Sequence, residues 1–346
     1  MKIFYGVQGT GNGHITRARV MAKELKIAGV EVQFQFTGRP ADKYFDMEVF
    51  GDYIVKPGFT FNVKNGQVSY LKTALQNNPI QFIKDVRSLD LSDYDLVISD
   101  FEPVTAWAAK LQGVRCVGIG HQYAFQYEIP KTNSDPLADM VMKYFAPVDY
   151  GIGLHWHHFD QPILPPIIET FEQPLYIVPN RIVVYLPFED QKKVAKLFNT
   201  YSDYDFYIYT PDCKEEYKVA PHITFKPVSR EGFQQDVYDC NGVICNAGFE
   251  LASEALQLGK KLLVKPVYGQ MEQHSNAAAL VELKYGHHMT DIETAGIFDV
   301  GVWLTHPTNV RVNYPNVAKF LVRWIKSGHC MLSDDDITRV WQKIWL

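Results

Sequence analysis

Short apolar runs alternate along this chain with stretches whose apolar residues recur at helical spacing. Residues 3–7 form the first run, and residues 15–28 the first helical pattern. Such runs read as buried strands, and the spaced stretches as helices laid against them. The alternation continues with strands at 30–36, 95–99, 115–120 and 149–154. Between the strands at 30–36 and 95–99 lies a segment, 53–65, read as a strand and then a loop holding Phe59 and Phe61, followed by an amphipathic helix over about 68–89. Pro103, tolerated in a first helical turn, opens the helix after the strand at 95–99.

From 161 to 179 the pattern stops. Prolines at 162, 165, 166, 174 and 179 lack the N–H that a central strand needs, so this stretch is a connector or a sheet edge. A second alternation follows: strand 181–186, helix 192–198, strands 206–209 and 223–225, helix 231–238, strand 242–245, helix from Phe249, strand 261–267 and helix from Glu272. Strands and helices alternating in both halves predict an α/β protein of two doubly wound parallel sheets facing a cleft. The expected domains are 1–165 and 166–332, with 333–346 as a last helix packing back on the first domain. Past Gly286 the signal fades, apart from a helix at 317–325 and one capped by Ser333 that carries Trp341 and Trp345. The run Asp334-Asp335-Asp336 has the look of a metal cluster, but acids at a helix start are better read as caps.

The chain has 346 residues, enough for two cores, and a net charge of −5 that gives no basic footprint for nucleic acid. Aromatic residues make up 14%, and some of them suit a carbohydrate or lipid cleft. Five cysteines without a C-x-x-C pair read as reduced and structural. No run approaches membrane-spanning length, and Met1-Lys2 leads directly into a strand. A cytoplasmic protein is therefore expected, with peripheral association at the inner face of the membrane left open.

The stretch with the most chemistry is 242–286. Asn246-Ala247-Gly248 is a turn feeding a helix, and the free amides and dipole of such a helix start favour a phosphate. Ala247, Phe249 and Glu250 complete that turn, and Glu254 shares a helix face with Glu250, placed for ribose hydroxyls. Glu272, Gln273 and Asn276 open the next helix with donors and acceptors for a polyhydroxylated ligand. Diphosphate, ribose and sugar laid end to end describe a nucleotide sugar.

In the first half, Gly9, Gly11 and Gly13 follow strand one. Their spacing fits the dinucleotide fingerprint poorly, and no acid ends the second strand, although Arg39 keeps an NADP site in view. His14 then lies at the cleft, where imidazole suits a base for an acceptor hydroxyl. Asp100 ends a strand on the same edge and faces the same cleft as His14, or else caps the next helix, with Glu102 as the neighbouring candidate. His121 is a second candidate base or an acceptor contact. His155, His157 and His158 around Trp156 invite a zinc reading that no completing ligand pattern supports.

The order Asn246, Glu254, Gly259, then Glu272-Gln273-His274-Ser275-Asn276-Ala277, resembles the donor signature of GT-B glycosyltransferases, the MurG-type and UDP-glycosyltransferase enzymes. Gly13-His14 is similar to the loop with which those enzymes open. The resemblance implies Gly248 and the following amides for the diphosphate, Glu254 for the ribose, and Glu272 and Gln273 for sugar hydroxyls. It further implies His14 as general base held by Asp100, Val228 and Ser229 near the nucleotide base, and Gly11, Gly13, Phe59, Phe61 and His121 on the acceptor side. One position departs, since relatives carry His or Arg where Asn246 stands. The expected activity is inverting, metal-independent transfer of a hexosyl or N-acetylhexosaminyl group from an NDP-sugar, by family habit UDP-linked, with no cofactor. The acceptor would be a lipid-linked glycan, a polysaccharide or a small molecule. The alternatives are a nucleotide-sugar 2-epimerase and a non-catalytic nucleotide or sugar binder.

Overall fold

The computed structural model describes residues 1–59, 63–64, 67–68, 78–132, 140, 142–169, 176–306 and 310–344. In the first half, strands β1 (Lys2–Gln8), β2 (Glu31–Thr37) and β3 (Tyr53–Lys56) are followed by a small hairpin of β4 (Val63–Lys64) and β5 (Gln67–Val68). Strands β6 (Leu96–Asp100), β7 (Cys116–Gly120) and β8 (Tyr150–Gly153) complete the set. Apart from the hairpin they form one parallel sheet in the order β3-β2-β1-β6-β7-β8. Helices α1 (Asn12–Ile27), α2 (Pro79–Ser88) and α3 (Pro103–Gln112) belong to this half.

The second sheet holds β9 (Val178–Tyr185), β10 (Asp205–Thr210), β11 (Tyr217–Ala220), β12 (Ile223–Pro227), β13 (Cys240–Asn246), β14 (Lys261–Lys265) and β15 (His287–His288). Its order is β11-β12-β10-β9-β13-β14-β15, parallel except for β11 at one edge. Between the strands run α4 (Gln191–Phe198), α5 (Arg230–Asp239), α6 (Phe249–Gln257) and α7 (Met271–Glu282). They are followed by α8 (Thr294–Thr305), α9 (Val317–Ser327) and α10 (Asp334–Trp341).

Both strand orders reverse direction once. The chain winds outward from β1 to β3 and then returns to the other side of β1 at β6; likewise it winds from β9 to β12 and returns at β13. Diverging connections leave a crevice at the carboxyl ends of the strands on either side of a reversal, which is where open α/β sheets hold ligands. The two crevices lie at β1/β6 and β9/β13.

Of the helix expected over 68–89, residues Pro79–Ser88 are helical behind an Asn78 cap and 67–68 pair as a strand instead, while 69–77 lie outside the described residues. The acids at 334–336 cap α10, with Ser333 Oγ accepting from Asp336 N at 3.1 Å and Asp336 Oδ2 accepting from Ser333 N at 3.2 Å. The edge strand β11, the short β15 and α8 had no counterpart in the sequence reading. Phe61, Pro174 and Trp345 lie outside the described residues.

Candidate active site

His14 stands in the first turn of α1, just beyond the end of β1. Its Nδ1 lies 2.7 Å from Oδ1 of Asp100, the last residue of β6. A carboxylate oxygen only accepts, so Nδ1 carries the hydrogen, and in the neutral ring the lone pair is then on Nε2. Asp100 is fully buried, while the His14 side chain stays 17% exposed. The adjacent Phe101 has φ 51°, a costly conformation for a bulky residue, and it separates the tasks of its two acidic neighbours. Asp100 meets His14, whereas Glu102 caps α3, accepting from Val104 N at 2.8 Å and Thr105 N at 2.7 Å. The capping role weighed for Asp100 therefore belongs to Glu102.

Arg17, which the sequence reading passed over, completes this group. Its Nε and Nη2 donate to Asp100 at 2.8 and 2.5 Å, and its Nη1 donates to Glu250 of the opposite half. Nη2 also lies 3.0 Å from His14 Nδ1, but both are donors converging on one carboxylate oxygen. Burial alone would raise the Asp100 pKa; Arg17 and His14 outweigh it and hold the carboxyl below its usual range. Burial works against the charge of Arg17 too, yet Asp100 and Glu250 keep its pKa above the ordinary value. The signal available in the sequence was spacing: residues 14 and 17 share a helix face.

Across the cleft, β13 ends at Asn246 and α6 begins at Phe249 with Gly248 as its cap residue. A Cβ built on Gly248 would meet nothing within 4 Å, so the space before the free amides of α6 is open. Ala247 and Phe249 point into the core and contribute backbone alone. Gly11, at the start of α1, likewise faces open space. Gly13 does not: a Cβ there would stand 2.9 Å from Cγ of Glu250, so the two helix starts abut. Glu250 is buried, and burial and Asp100, against the pull of Arg17, push its pKa up to about 8. Burial and Glu169 push Glu254 to about 7.

Asn246 donates to Lys265 O at 3.0 Å, and Lys265 Nζ is held by Glu189 at 2.8 Å. A lysine thus sits on the strand beside the position where the donor signature has a cation. Val228 and Ser229 follow β12 on the same sheet edge. Glu272 accepts from Gln122 Nε2 at 3.1 Å, while Gln273 Oε1 is taken by Val267 N at 2.9 Å. Phe59 packs its ring edge-on to Phe82 of α2 at 4.8 Å, and its carbonyl accepts from Gln8.

Two expectations change. His121 is buried, with Nδ1 2.8 Å from Leu154 O and Nε2 2.7 Å from Asn276 Oδ1, and its ring stacks on Phe249 at 4.0 Å. No ring nitrogen is left to take a proton from an acceptor, so His121 is neither base nor acceptor contact. Asn276 is fully buried between His121 and Ala247 O, to which it donates at 2.9 Å; it braces the two cleft walls instead of offering its amide to a sugar. His155 is also buried, burial pushes its pKa down, and Nδ1 accepts from Trp156 N. Among the described residues no three His, Cys, Asp or Glu side chains converge as a metal site. Nor is any described helix long and apolar enough to cross a membrane.

The family model described as glycosyl transferase family 1 matches residues 1–302. No curated protein matches the sequence. Among solved structures, the chain is similar to the spinosyn forosaminyltransferase SpnP at 14% identity, covering 99% of this chain and 98% of that one with a TM-score of 0.60. The glycosyltransferase SnogD from Streptomyces nogalater is 16% identical over 94% of this chain and 95% of its own, with a TM-score of 0.55. The spinosyn rhamnosyltransferase SpnG, solved with thymidine diphosphate, is 12% identical over 98% and 96%, with a TM-score of 0.59.

Proposed function

The chain belongs to glycosyl transferase family 1 and has the GT-B architecture, and from that premise we propose that it is an inverting, metal-independent hexosyl- or N-acetylhexosaminyltransferase. The donor is a nucleoside-diphosphate sugar, linked to uridine or, as the ligand of SpnG suggests, thymidine. The observation that carries this reading is the His14–Asp100 pair at 2.7 Å in one crevice, opposite the open helix start of α6 in the other.

In this reading residues 1–165 bind the acceptor and 166–332 bind the donor. The amides that begin α6 hold the diphosphate, Glu254 the ribose, and Glu272 and Gln273 the sugar hydroxyls. His14 Nε2 takes the acceptor's proton as the acceptor oxygen attacks the anomeric carbon. The bond from that carbon to the diphosphate breaks, and the departing charge lies before the α6 amides, where preorganised N–H groups stabilise it. Asp100 fixes the His14 tautomer and balances the imidazolium that forms.

His14→Ala is expected to lower transfer by about 10³-fold or more while uridine or thymidine diphosphate still binds. Undiminished turnover in this variant would remove His14 as the base. Failure of the unaltered protein to bind either nucleotide would remove the donor site.

A further inference from the structure

Arg39 stands two residues beyond the end of β2, on the sheet edge where β1 and β6 also end. The chain reaches it through Gly38 at φ 103°, a conformation that glycine adopts without strain. The Arg39 guanidinium lies over the Tyr44 ring at 4.6 Å, and its Nη2 donates to Asn12 Oδ1 at 2.9 Å. Both partners are neutral. Among the described residues no Asp or Glu pairs with it, and the groups that act on its charge are the hydroxyls of Tyr44 and Tyr185. Its Nε is enclosed, but the residue as a whole is only half-buried, so a ligand meets the outer edge of the guanidinium.

A half-buried cation without a counter-charge is costly, and its neighbours at the two crevices avoid that cost. Arg17 lies between Asp100 and Glu250, Lys265 is held by Glu189 at 2.8 Å, and Arg230 is 3.6 Å from Glu169. Arg39 is the one of these four without a carboxylate. Two lines of contact lead from it to the donor side. Asn12, its hydrogen-bond partner, is the first residue of α1, and the next residue, Gly13, abuts Glu250 at the start of α6. Asn12 also shares a hydrogen bond with Tyr185, the last residue of β9. Tyr185 is in register with Cys245 of β13, one residue before Asn246 and the turn into α6. A side chain of the first half thus places its charge at the β9/β13 crevice of the second.

We propose that Arg39 is the charge partner of the donor's β-phosphate, supplied from the acceptor half to a diphosphate that the α6 amides hold from the other side. The inference rests on the reading that α6 binds the diphosphate, and adds the cation that the amides alone do not provide. With the sugar directed at His14, the β-phosphate that carries it is the phosphate nearer to α1 and Arg39. As the acceptor oxygen bonds to the anomeric carbon, the bond from that carbon to the β-phosphate oxygen breaks, and its electron pair stays on that oxygen. Negative charge grows there, so a fixed guanidinium attracts the group more strongly in the transition state than in the bound donor. Arginine suits the task, since it stays charged and its planar fork matches phosphate oxygens.

Calorimetric titration of the full chain with uridine diphosphate, uridine monophosphate and uridine, and with the thymidine series, tests the idea. The unaltered protein should bind the diphosphate more tightly than the monophosphate. In Arg39→Gln the dissociation constant of the diphosphate should rise about tenfold to hundredfold, while those of the monophosphate and the nucleoside stay within about twofold. Arg39→Lys keeps the charge without the fork, so its loss should be smaller than that of Arg39→Gln. Thermal melts without nucleotide verify that each variant is folded, and the lysine variant carries the test if the glutamine variant is not. An unchanged diphosphate affinity in Arg39→Gln would overturn the proposal, and so would an equal loss for all three ligands, which marks a structural role. Failure of the unaltered protein to bind either nucleoside diphosphate would instead sink the donor-site reading beneath it.

Discussion

Arg17 sits three residues after His14 and is 1% exposed, with Asp100 on one side and Glu250 on the other. A guanidinium in that position makes Asp100 affordable in the interior, since an unpaired buried carboxylate would otherwise be neutralised. It also competes with His14 for the same oxygen, so Asp100 is held rigidly at some cost to the basicity it lends the imidazole. Arg17→Met is expected to lower the unfolding free energy by about 3–5 kcal/mol in a denaturant titration, because Asp100 remains behind without its partner. Adding Asp100→Asn should recover part of that loss, as removing both partners leaves no stranded charge. His14 and Asp100 were legible because a strand's carboxyl end is recognisable from an apolar run and its first polar residue. Arg17 was not, since nothing in a helical pattern separates a buried arginine from a solvated one. The choice between Asp100 and Glu102 was open for a similar reason: one ends the strand and the other stands two residues on, at the start of α3, with Phe101 at φ 51° between them.

Helices α1 and α6 meet start to start, and glycines set the distance. Gly13 has Glu250 within 2.9 Å of where its Cβ would be, while Gly248 has nothing within 4 Å. The two positions should therefore respond differently to alanine. Gly13→Ala is expected to destabilise by about 1–2 kcal/mol, overpacking outweighing a helix-propensity gain of under about 1 kcal/mol. The side chain it displaces is the one that reaches Arg17. Gly248→Ala should leave the melting temperature unchanged and weaken nucleoside diphosphate binding, because its methyl fills the open space before the amides. Thermal melts with and without nucleotide distinguish the two. At this scale most helices and strands were visible in the pattern, and boundaries moved by a few residues. The exceptions, the β4–β5 hairpin, β11, β15 and α8, are short or nearly uniformly apolar, so neither period stands out.

Across the whole molecule, the two halves are pinned at several separated points. Trp156 Nε1 donates to Ser253 Oγ at 2.8 Å, Asn316 Nδ2 to Glu24 at 2.8 Å, and Lys326 Nζ to Ala28 O at 2.8 Å. Trp341 of α10 donates to Ile163 O at 2.6 Å and packs its ring near His158 at 5.3 Å. Trp341→Ala is expected to cost about 2–3 kcal/mol of stability, measured by denaturant titration, through loss of a partly buried ring and of a donor to a backbone carbonyl. What the order of residues determined by itself was local: which segments are strands or helices, where helices start, and which polar side chains stand at strand ends, because these follow from period, turn chemistry and capping within a few residues. The strand order, the abutting of α1 on α6, the burial of His121 and Asn276, and the sharing of one guanidinium by two carboxylates were decided by the tertiary structure. Each depends on groups up to 233 residues apart, and their proximity comes from how the sheets pack, which no local pattern encodes.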